Sequence, residues 1–169
     1  ALTIDPQQAT LGVHGSETDV NLSYRRSQVR FIDKNDWRFQ NLFDVLWKTA
    51  IAANHDFFNI HLTKLDYIQF AEYDASYEGE YKEHHDVFWL NDDPVYHRKM
   101  SCVIQLTDPN EYDGGDFQII DAAHSPPADE LREQGTIIYF PSMMRHRALP
   151  VVRGKRYSIA AWFEGPKWR

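Results

Sequence analysis

The spacing of apolar positions changes once along the chain, from a helical period to a period of two. Before residue 54, apolar residues recur every three or four positions, at Phe39, Leu42, Phe43, Leu46 and Ala50. This spacing places them on one face of a helix. Asp36 precedes the segment and can accept a hydrogen bond from the free N–H groups of a first helical turn. The sequence therefore predicts a helix over residues 37–53.

Beyond residue 64, short runs alternate between apolar and polar positions, which is typical of strands. We expect these strands at 65–73, 80–87, 99–106, 117–120, 136–140 and 156–163, with one more at 27–32 before the helix. Gly114 and Gly115 lie in a turn cluster at 108–116, where they can adopt positive φ. Residues 122–134 are predicted to form a loop with one helical turn. One helix followed by many short strands indicates an antiparallel sandwich or barrel.

Composition and charge narrow the class of protein. The 169 residues are 43% hydrophobic, which is enough for one core, so we expect a single domain over 1–169. Residues 1–64 supply the helix and, at 1–24, an extended and partly mobile arm. The net charge of −7 disfavours nucleic acid and anionic membranes as partners. No signal-peptide pattern or membrane-spanning apolar run is seen, and the lone Cys102 forms no intrachain disulfide, so we expect a cytoplasmic protein.

His84, Asp86 and His146 are the candidate metal ligands. Residues two apart in a strand project from the same face, so His84 and Asp86 can reach one cation. His146 follows the end of a later predicted strand. Two imidazoles and a carboxylate, without a thiolate, favour Fe(II), Mn(II) or Co(II) and leave coordination positions open. Two alternatives stay open: a chance match in a chain with eight histidines, and ligation by His85 in place of His84.

The last predicted strand has two chemically different faces. One face carries Arg156, Ser158, Ala160 and Trp162, and the other carries Tyr157, Ile159, Ala161 and Phe163. The second face is apolar or aromatic throughout and suits a core. A buried arginine is costly unless it is paired, and a ligand carboxylate can pair with Arg156 while the Ser158 hydroxyl adds a hydrogen bond. The alternative is an ion pair between Arg156 and an Asp or Glu of this chain.

Taken in order, these motifs resemble the Fe(II)/2-oxoglutarate-dependent dioxygenases, and within them the prolyl-4-hydroxylase-type branch. The resemblance covers roughly residues 65–166. It includes the tyrosine-rich segment 73–81, His84 with Asp86, the strand 101–106, the turn 111–116, the segment 135–142, His146 and the segment 150–156.

The resemblance implies a mainly β fold with flanking helices, a double-stranded β-helix (jelly roll) with one long N-terminal helix packed on the sheet. It implies Fe(II) held by His84, Asp86 and His146. It also implies that 2-oxoglutarate chelates this iron and places its far carboxylate on Arg156. O₂ is the second cosubstrate, and ascorbate is a further candidate cofactor.

Other cosubstrate contacts are implied at Tyr73, Ser158, Gln105 and Trp162. The segment between Tyr73 and His84 is longer than in the collagen-type and hypoxia-sensing enzymes, so Tyr77 and Tyr81 are alternatives to Tyr73. Gln105 stands where the hypoxia-sensing enzymes have a second cosubstrate tyrosine.

The resulting functional hypothesis is hydroxylation of an unactivated C–H bond, foremost that of a prolyl residue in a peptide or protein. The alternatives are a hydroxylase of a free amino acid or other small molecule, a cupin-like metal enzyme that does not use 2-oxoglutarate, and a non-catalytic binding module. Substrate contacts are sought in residues 87–97, which include Phe88, Trp89 and Tyr96 and could instead pack on the arm. Arg98 and Arg145 are expected to flank the mouth of the site.

Overall fold

The computed structural model describes residues 1–9, 21–87, 96–124 and 126–168. The predicted helix is confirmed as a continuous helical segment made of a 3₁₀ turn (Trp37–Phe39), helix α1 (Gln40–Ala53) and a π-helical turn (Asn54–Phe58). Asp36 accepts a hydrogen bond from the backbone N–H of Arg38 and so caps the first turn. The predicted loop 122–134 contains the short helix α2 (Ala128–Arg132). No helix among the described residues is long and apolar enough to cross a lipid bilayer.

The described residues form twelve strands, and the longest of these correspond to predicted strands. In chain order they are β1 (Gln7–Gln8), β2 (Arg25–Arg26), β3 (Gln28–Asp33), β4 (Tyr67–Asp74), β5 (Glu80–His84), β6 (Tyr96–Gln105), β7 (Asp113–Gly114), β8 (Phe117–Ile119), β9 (Ile137–Pro141), β10 (His146–Ala148), β11 (Val151–Arg153) and β12 (Lys155–Pro166).

These strands form two principal antiparallel sheets. The larger sheet has the order β1-β3-β4-β12-β6-β9 and the smaller has the order β2-β5-β10-β8, while β11 and β7 form a separate pair. The inner faces of the two sheets meet, as where Phe117 of β8 packs against Phe140 of β9 with ring centroids 5.7 Å apart. The expected jelly roll is therefore confirmed.

The outer face of the larger sheet is covered by helix α1. Phe43, Leu46 and Ala50 are buried on the helix and belong to the same apolar cluster as Ile159 and Phe163 of β12. Since residues alternate along a strand, the opposite face of β12 is turned toward the smaller sheet. The helix thus closes one side of the larger sheet and leaves the other side for a functional site.

The structure departs from the predicted elements in the bounds of some strands, with β6 beginning at Tyr96 and β12 ending at Pro166, and in several short strands. Strand β5 ends at His84 and does not continue to residue 87. Strands β1, β2, β7, β10 and β11 were not predicted, because two or three residues are too few to establish a period.

The predicted mobile arm is partly paired. Gln7–Gln8 of the arm pairs with β3, and Arg25–Arg26, which directly follows the arm, pairs with β5. Residues 10–20 of the arm, and Phe88 and Trp89 of the predicted substrate segment, lie outside the described residues. The predicted positive φ of the turn glycines is confirmed, at 71° for Gly114 and 67° for Gly115.

Candidate active site

His84, Asp86 and His146 converge at one end of the smaller sheet. His84 ends β5 and His146 begins β10, and the two residues are opposite each other in the antiparallel pair. Oδ1 of Asp86 lies 3.7 Å from Nε2 of His84, and Oδ2 lies 3.5 Å from Nε2 of His146. One potential ligand atom from each residue lies within 4.8 Å of the others. The structure therefore brings the three predicted ligands to one point.

Asp86 reaches this point from just beyond the strand. Its backbone N–H donates to the carbonyl of Ser142 at 2.9 Å, which turns the chain after β5. The Ser101 hydroxyl donates to Oδ2 of Asp86 at 2.6 Å and also contacts the Ser142 hydroxyl at 2.9 Å. Ser101 was not among the predicted site residues. A hydroxyl within the apolar strand 99–106 was the signal that could have identified it.

Both imidazoles are held with Nε2 directed toward Asp86. Nδ1 of His84 lies 2.8 Å from the carbonyl of Lys82, and Nδ1 of His146 lies 3.0 Å from the carbonyl of Met144. Because a carbonyl accepts, Nδ1 carries the proton and Nε2 offers a lone pair. Burial lowers the pKa of His84 to about 3, and the neighbouring His146 adds to the decrease. His84 is thus neutral near pH 7, as a metal ligand must be.

The carboxylate is ionised despite its burial. Burial by itself would raise the pKa of Asp86, but the interactions with His146 and His84, followed by Arg98 and the Ser101 hydroxyl, hold it below its usual value. A buried carboxylate beside two imidazoles whose Nε2 atoms face it is a site that a divalent cation would complete.

Arg156 lies in the same cavity and is 2% exposed. Its Nε and Nη2 donate to Oε1 of Gln105 at 3.2 and 2.9 Å, and its Cζ lies 5.3 Å from the centre of the Tyr73 ring. Among the described residues, no Asp or Glu carboxylate is paired with this guanidinium. The alternative, an ion pair between Arg156 and an Asp or Glu of this chain, is therefore not found among the described residues.

The predicted faces of β12 are reproduced. Arg156, Ser158, Ala160 and Trp162 all line the cavity, as does Tyr73.

Of the other tyrosines, Tyr81 lines the cavity, whereas Tyr77 does not and donates its hydroxyl to the carbonyl of Glu72 at 3.1 Å. Gln105 is buried against Arg156 and is not part of the cavity lining.

An aromatic row leads from the site across three neighbouring strands. Phe31, Tyr67 and Trp162 line the cavity, and adjacent ring centroids in this row are 5.8 Å apart. Arg98 closes the row, with Cζ 4.0 Å from the Trp162 ring and Nη2 donating to the Tyr67 hydroxyl at 2.6 Å. Phe31 and Tyr67 were not predicted as site residues, because the neighbourhood of β3, β4 and β12 becomes visible only in the folded sheet.

Arg145, which was expected beside Arg98 at the mouth, lines the cavity as Arg98 does, and its charge is paired with carboxylates. It donates to Asp121 at 2.6 Å and to Glu83 at 2.8 Å. The cavity that holds the three candidate ligands and Arg156 has a volume of about 640 Å³, within the usual range for small-molecule sites.

The fold and site together define a class: jelly-roll proteins with a two-histidine, one-carboxylate centre and a buried arginine in one cavity. The family model described as the 2OG-Fe(II) oxygenase superfamily matches residues 68–164. The chain belongs to this superfamily, whose cofactor and cosubstrates are Fe(II), 2-oxoglutarate and O₂. This membership argues against the cupin-like alternative.

Among curated proteins, the chain is similar to PKHD-type hydroxylases. It is 32% identical over 123 residues to one from Aliarcobacter butzleri, covering 69% of this chain and 52% of that protein. It is 33% identical over 86 residues to one from Colwellia psychrerythraea, covering 51% of this chain and 38% of that protein. The chain thus spans about half or less of the length of these relatives.

Among solved structures, the chain is similar to prolyl hydroxylases. A prolyl-4-hydroxylase from Pseudomonas putida gives a TM-score of 0.66 at 24% identity, covering 87% of this chain and 76% of that one. A prolyl hydroxylase from Trichoplax adhaerens, solved with a hypoxia-inducible-factor peptide, gives 0.69 at 15% identity, covering 94% and 70%. At these identities the likeness establishes the fold.

Proposed function

We propose that this protein hydroxylates an unactivated C–H bond in a reaction dependent on Fe(II), 2-oxoglutarate and O₂, foremost that of a prolyl residue in a peptide or protein. One observation carries the proposal: His84, Asp86 and His146 share a single cavity with the buried Arg156. We assign the first three residues as iron ligands and Arg156 as the partner of the far carboxylate of 2-oxoglutarate.

The donor set fits ferrous iron. Two imidazole nitrogens and one carboxylate, without a thiolate, form a donor set that suits a borderline divalent ion. The orientation of each group is already held, by the carbonyls at Nδ1 of each histidine and by the hydroxyl of Ser101 on Asp86. The chemistry that bound iron supplies is the O₂-dependent decarboxylation of 2-oxoglutarate to succinate, coupled to oxidation of a C–H bond.

The protein's own contribution to cosubstrate binding is a held guanidinium. Gln105 accepts from Nε and Nη2 of Arg156 and fixes its plane. The remaining N–H groups of Arg156 are available to a carboxylate, which a guanidinium can bind through two hydrogen bonds. Ser158 lines the cavity two positions along the same strand face and can add a hydroxyl donor. We therefore assign Gln105 to supporting Arg156 and not to direct contact with 2-oxoglutarate.

The aromatic row supports a peptide-sized substrate. Phe31, Tyr67 and Trp162 provide an apolar wall that extends from the site toward the larger sheet's edge. Such a wall suits a pyrrolidine ring and adjoining peptide. The Trichoplax adhaerens protein, which shares the fold, was solved with a peptide fragment.

An anaerobic titration tests the cosubstrate assignment. With Fe(II) and 2-oxoglutarate, a weak visible charge-transfer band should appear and saturate. Arg156→Gln should weaken 2-oxoglutarate binding by about 10- to 100-fold, the value of a lost charged hydrogen-bond pair, while metal binding persists. Arg153→Gln is the matched control, since Arg153 pairs with Asp113 and is exposed. Equal saturation in the Arg156→Gln and control proteins would show that the oxo acid is bound elsewhere.

A mass-gain screen tests the substrate class. Proline-containing peptides and free amino acids are incubated with Fe(II), 2-oxoglutarate and O₂. The proposal expects a peptide product heavier by one oxygen atom, formed only when 2-oxoglutarate is present. A product from free amino acids alone would favour the small-molecule alternative.

A further inference from the structure

We propose that Arg25, in strand β2 directly after the N-terminal arm, is a positioning residue for His84, acting through the ring of Tyr81. The proposal rests on the assignment of His84 as an iron ligand. It adds to the site a residue that lies far from the ligands in sequence and outside the region matched by the superfamily, residues 68–164.

The three groups form a stack. The ring of Tyr81 lies nearly parallel to the imidazole of His84, with centroids 3.5 Å apart and an interplanar angle of 17°. Cζ of Arg25 lies over the Tyr81 ring, 4.3 Å from its centroid. An imidazole and a guanidinium cannot occupy the same face of one phenol ring at these distances. Tyr81 is therefore sandwiched between Arg25 and His84.

Local pairing places Arg25 there. In the small sheet, β2 pairs with β5 so that Arg25 is opposite Tyr81. Nε of Arg25 donates to the Ser27 hydroxyl at 2.9 Å, and the residue is only 6% exposed. Among the described residues, no carboxylate pairs with Arg25, so its charge is met by the Tyr81 ring and the Ser27 hydroxyl. A desolvated cation over an aromatic face is favourable.

The stack supplies a restraint that the hydrogen bond of His84 lacks. The contact between Nδ1 and the carbonyl of Lys82 fixes the tautomer and one direction within the ring plane. It leaves the imidazole free to tilt about that direction. Tyr81 blocks the tilt because it covers the ring face, and Arg25 keeps Tyr81 from moving into the cavity. Arg25 thereby helps to keep Nε2 of His84 directed toward Asp86.

Metal affinity tests this role without relying on turnover. Co(II) is titrated calorimetrically into the metal-free full chain and its variants. Arg25→Ala should weaken Co(II) binding by about 10-fold, the lower end of the effect of removing a group that orients a ligand. Arg25→Lys should restore part of the affinity, since an ammonium can also lie over a ring. Tyr81→Phe should bind nearly as tightly as the wild type, because the ring is kept.

Arg26→Ala is the matched control. Arg26 is the neighbouring residue of the same strand, but its guanidinium pairs with Glu80 at 3.0 Å and does not contact the stack. Thermal unfolding of both variants shows whether any loss of affinity follows from a general loss of stability. If Arg25→Ala fails to fold, Arg25→Gln and Arg25→Lys are compared in its place.

Combining variants separates this proposal from the iron-site assignment. Arg25→Ala and Tyr81→Ala should weaken Co(II) binding to a similar extent, and the double variant should add little, because both act through one stack. Equal Co(II) affinities for Arg25→Ala and Arg26→Ala, or full additivity with Tyr81→Ala, would overturn the role of Arg25. Unchanged Co(II) binding by His84→Ala would instead overturn the iron-site assignment.

Discussion

The two histidines of the site are held alike at Nδ1 and differently at the ring face. Each lies close to the carbonyl two residues earlier in the chain. The ring of His146 is packed by Phe140 and Phe117, with ring centroids 4.7 and 5.7 Å away and inclined to it by 62° and 51°. The face of His84 is covered by Tyr81. The same ligand chemistry is therefore supported by the apolar core on one side and by a polar stack on the other.

This difference follows from where the strands lie. Both ligand strands are inner strands of the small sheet, but His146 of β10 is packed by Phe140, which comes from the facing large sheet. His84 is on β5, whose outer neighbour is only the two-residue β2. A ligand held by the core changes its environment only if the fold loosens, whereas a ligand held by a short edge strand can lose its support locally. We expect the His84 side to be the more easily perturbed half of the site.

Removing the metal-ligating histidines themselves should have the largest effect, because no metal site then remains in which their supports can be compared. His84→Ala and His146→Ala should each lose Fe(II)-dependent succinate formation, because two remaining ligands cannot hold the ion. His85→Ala should keep much of the activity, since His85 is not one of the converging groups. Succinate release with each variant is the measurement. Loss of activity in His85→Ala alone would mean that the strand presents the other imidazole to the metal.

Removing the ring packed against each histidine should separate the two kinds of support. Phe140 is 2% exposed, so Phe140→Ala should lower the free energy of unfolding by about 3–5 kcal/mol and weaken Co(II) binding as well. Tyr81→Ala should weaken Co(II) binding with a clearly smaller loss of stability, because Tyr81 lies toward the sheet edge and the cavity. Urea unfolding of the metal-free proteins, paired with Co(II) titration, measures both quantities. Equal losses of stability would show that both histidines depend on the core.

Sequence reasoning described the long strands and the ligand residues more completely than the groups that support the ligands. The long β12 could be predicted because its strict alternation separates Arg156 and Ser158 from the apolar Ile159 and Phe163. The convergence of His84 with His146 was expected from a motif. In each case the pattern that allowed the prediction lies within one segment or in an ordered series of motifs. Both kinds of pattern can be seen in the sequence itself.

The stack on His84 could not be predicted, because it depends on which strands become neighbours. Arg25 lies in a segment with no clear period, and nothing in its local sequence indicates Tyr81 as its partner. Asp86 similarly reaches the site through a hydrogen bond to Ser142 and not through continuation of β5. Contacts between distant segments that are only two or three residues long leave no periodic trace.

A change at Gln105 should have the smallest effect on the site. Because Gln105 contacts neither histidine, it serves as a reference for the changes at the metal ligands. Gln105 accepts two hydrogen bonds from Arg156, so Gln105→Leu should loosen the guanidinium but leave it in the cavity, and we expect about 10-fold weaker binding of 2-oxoglutarate. Gln105→Glu keeps the shape but places a carboxylate on the guanidinium, where it competes with the cosubstrate. We therefore expect Gln105→Glu to bind 2-oxoglutarate more weakly than Gln105→Leu.

Both Gln105 variants should bind Co(II) as tightly as the wild type, since neither His84 nor His146 contacts Gln105. Calorimetric titration with 2-oxoglutarate in the presence of Co(II) measures the cosubstrate effect, and titration with Co(II) alone measures the metal effect. If Gln105→Glu bound 2-oxoglutarate as well as the wild type does, Arg156 would not be the carboxylate partner. A lower metal affinity in either variant would show that the region around Arg156 is coupled to the metal ligands. The difference between the two histidines would then depend on residues beyond their immediate neighbours.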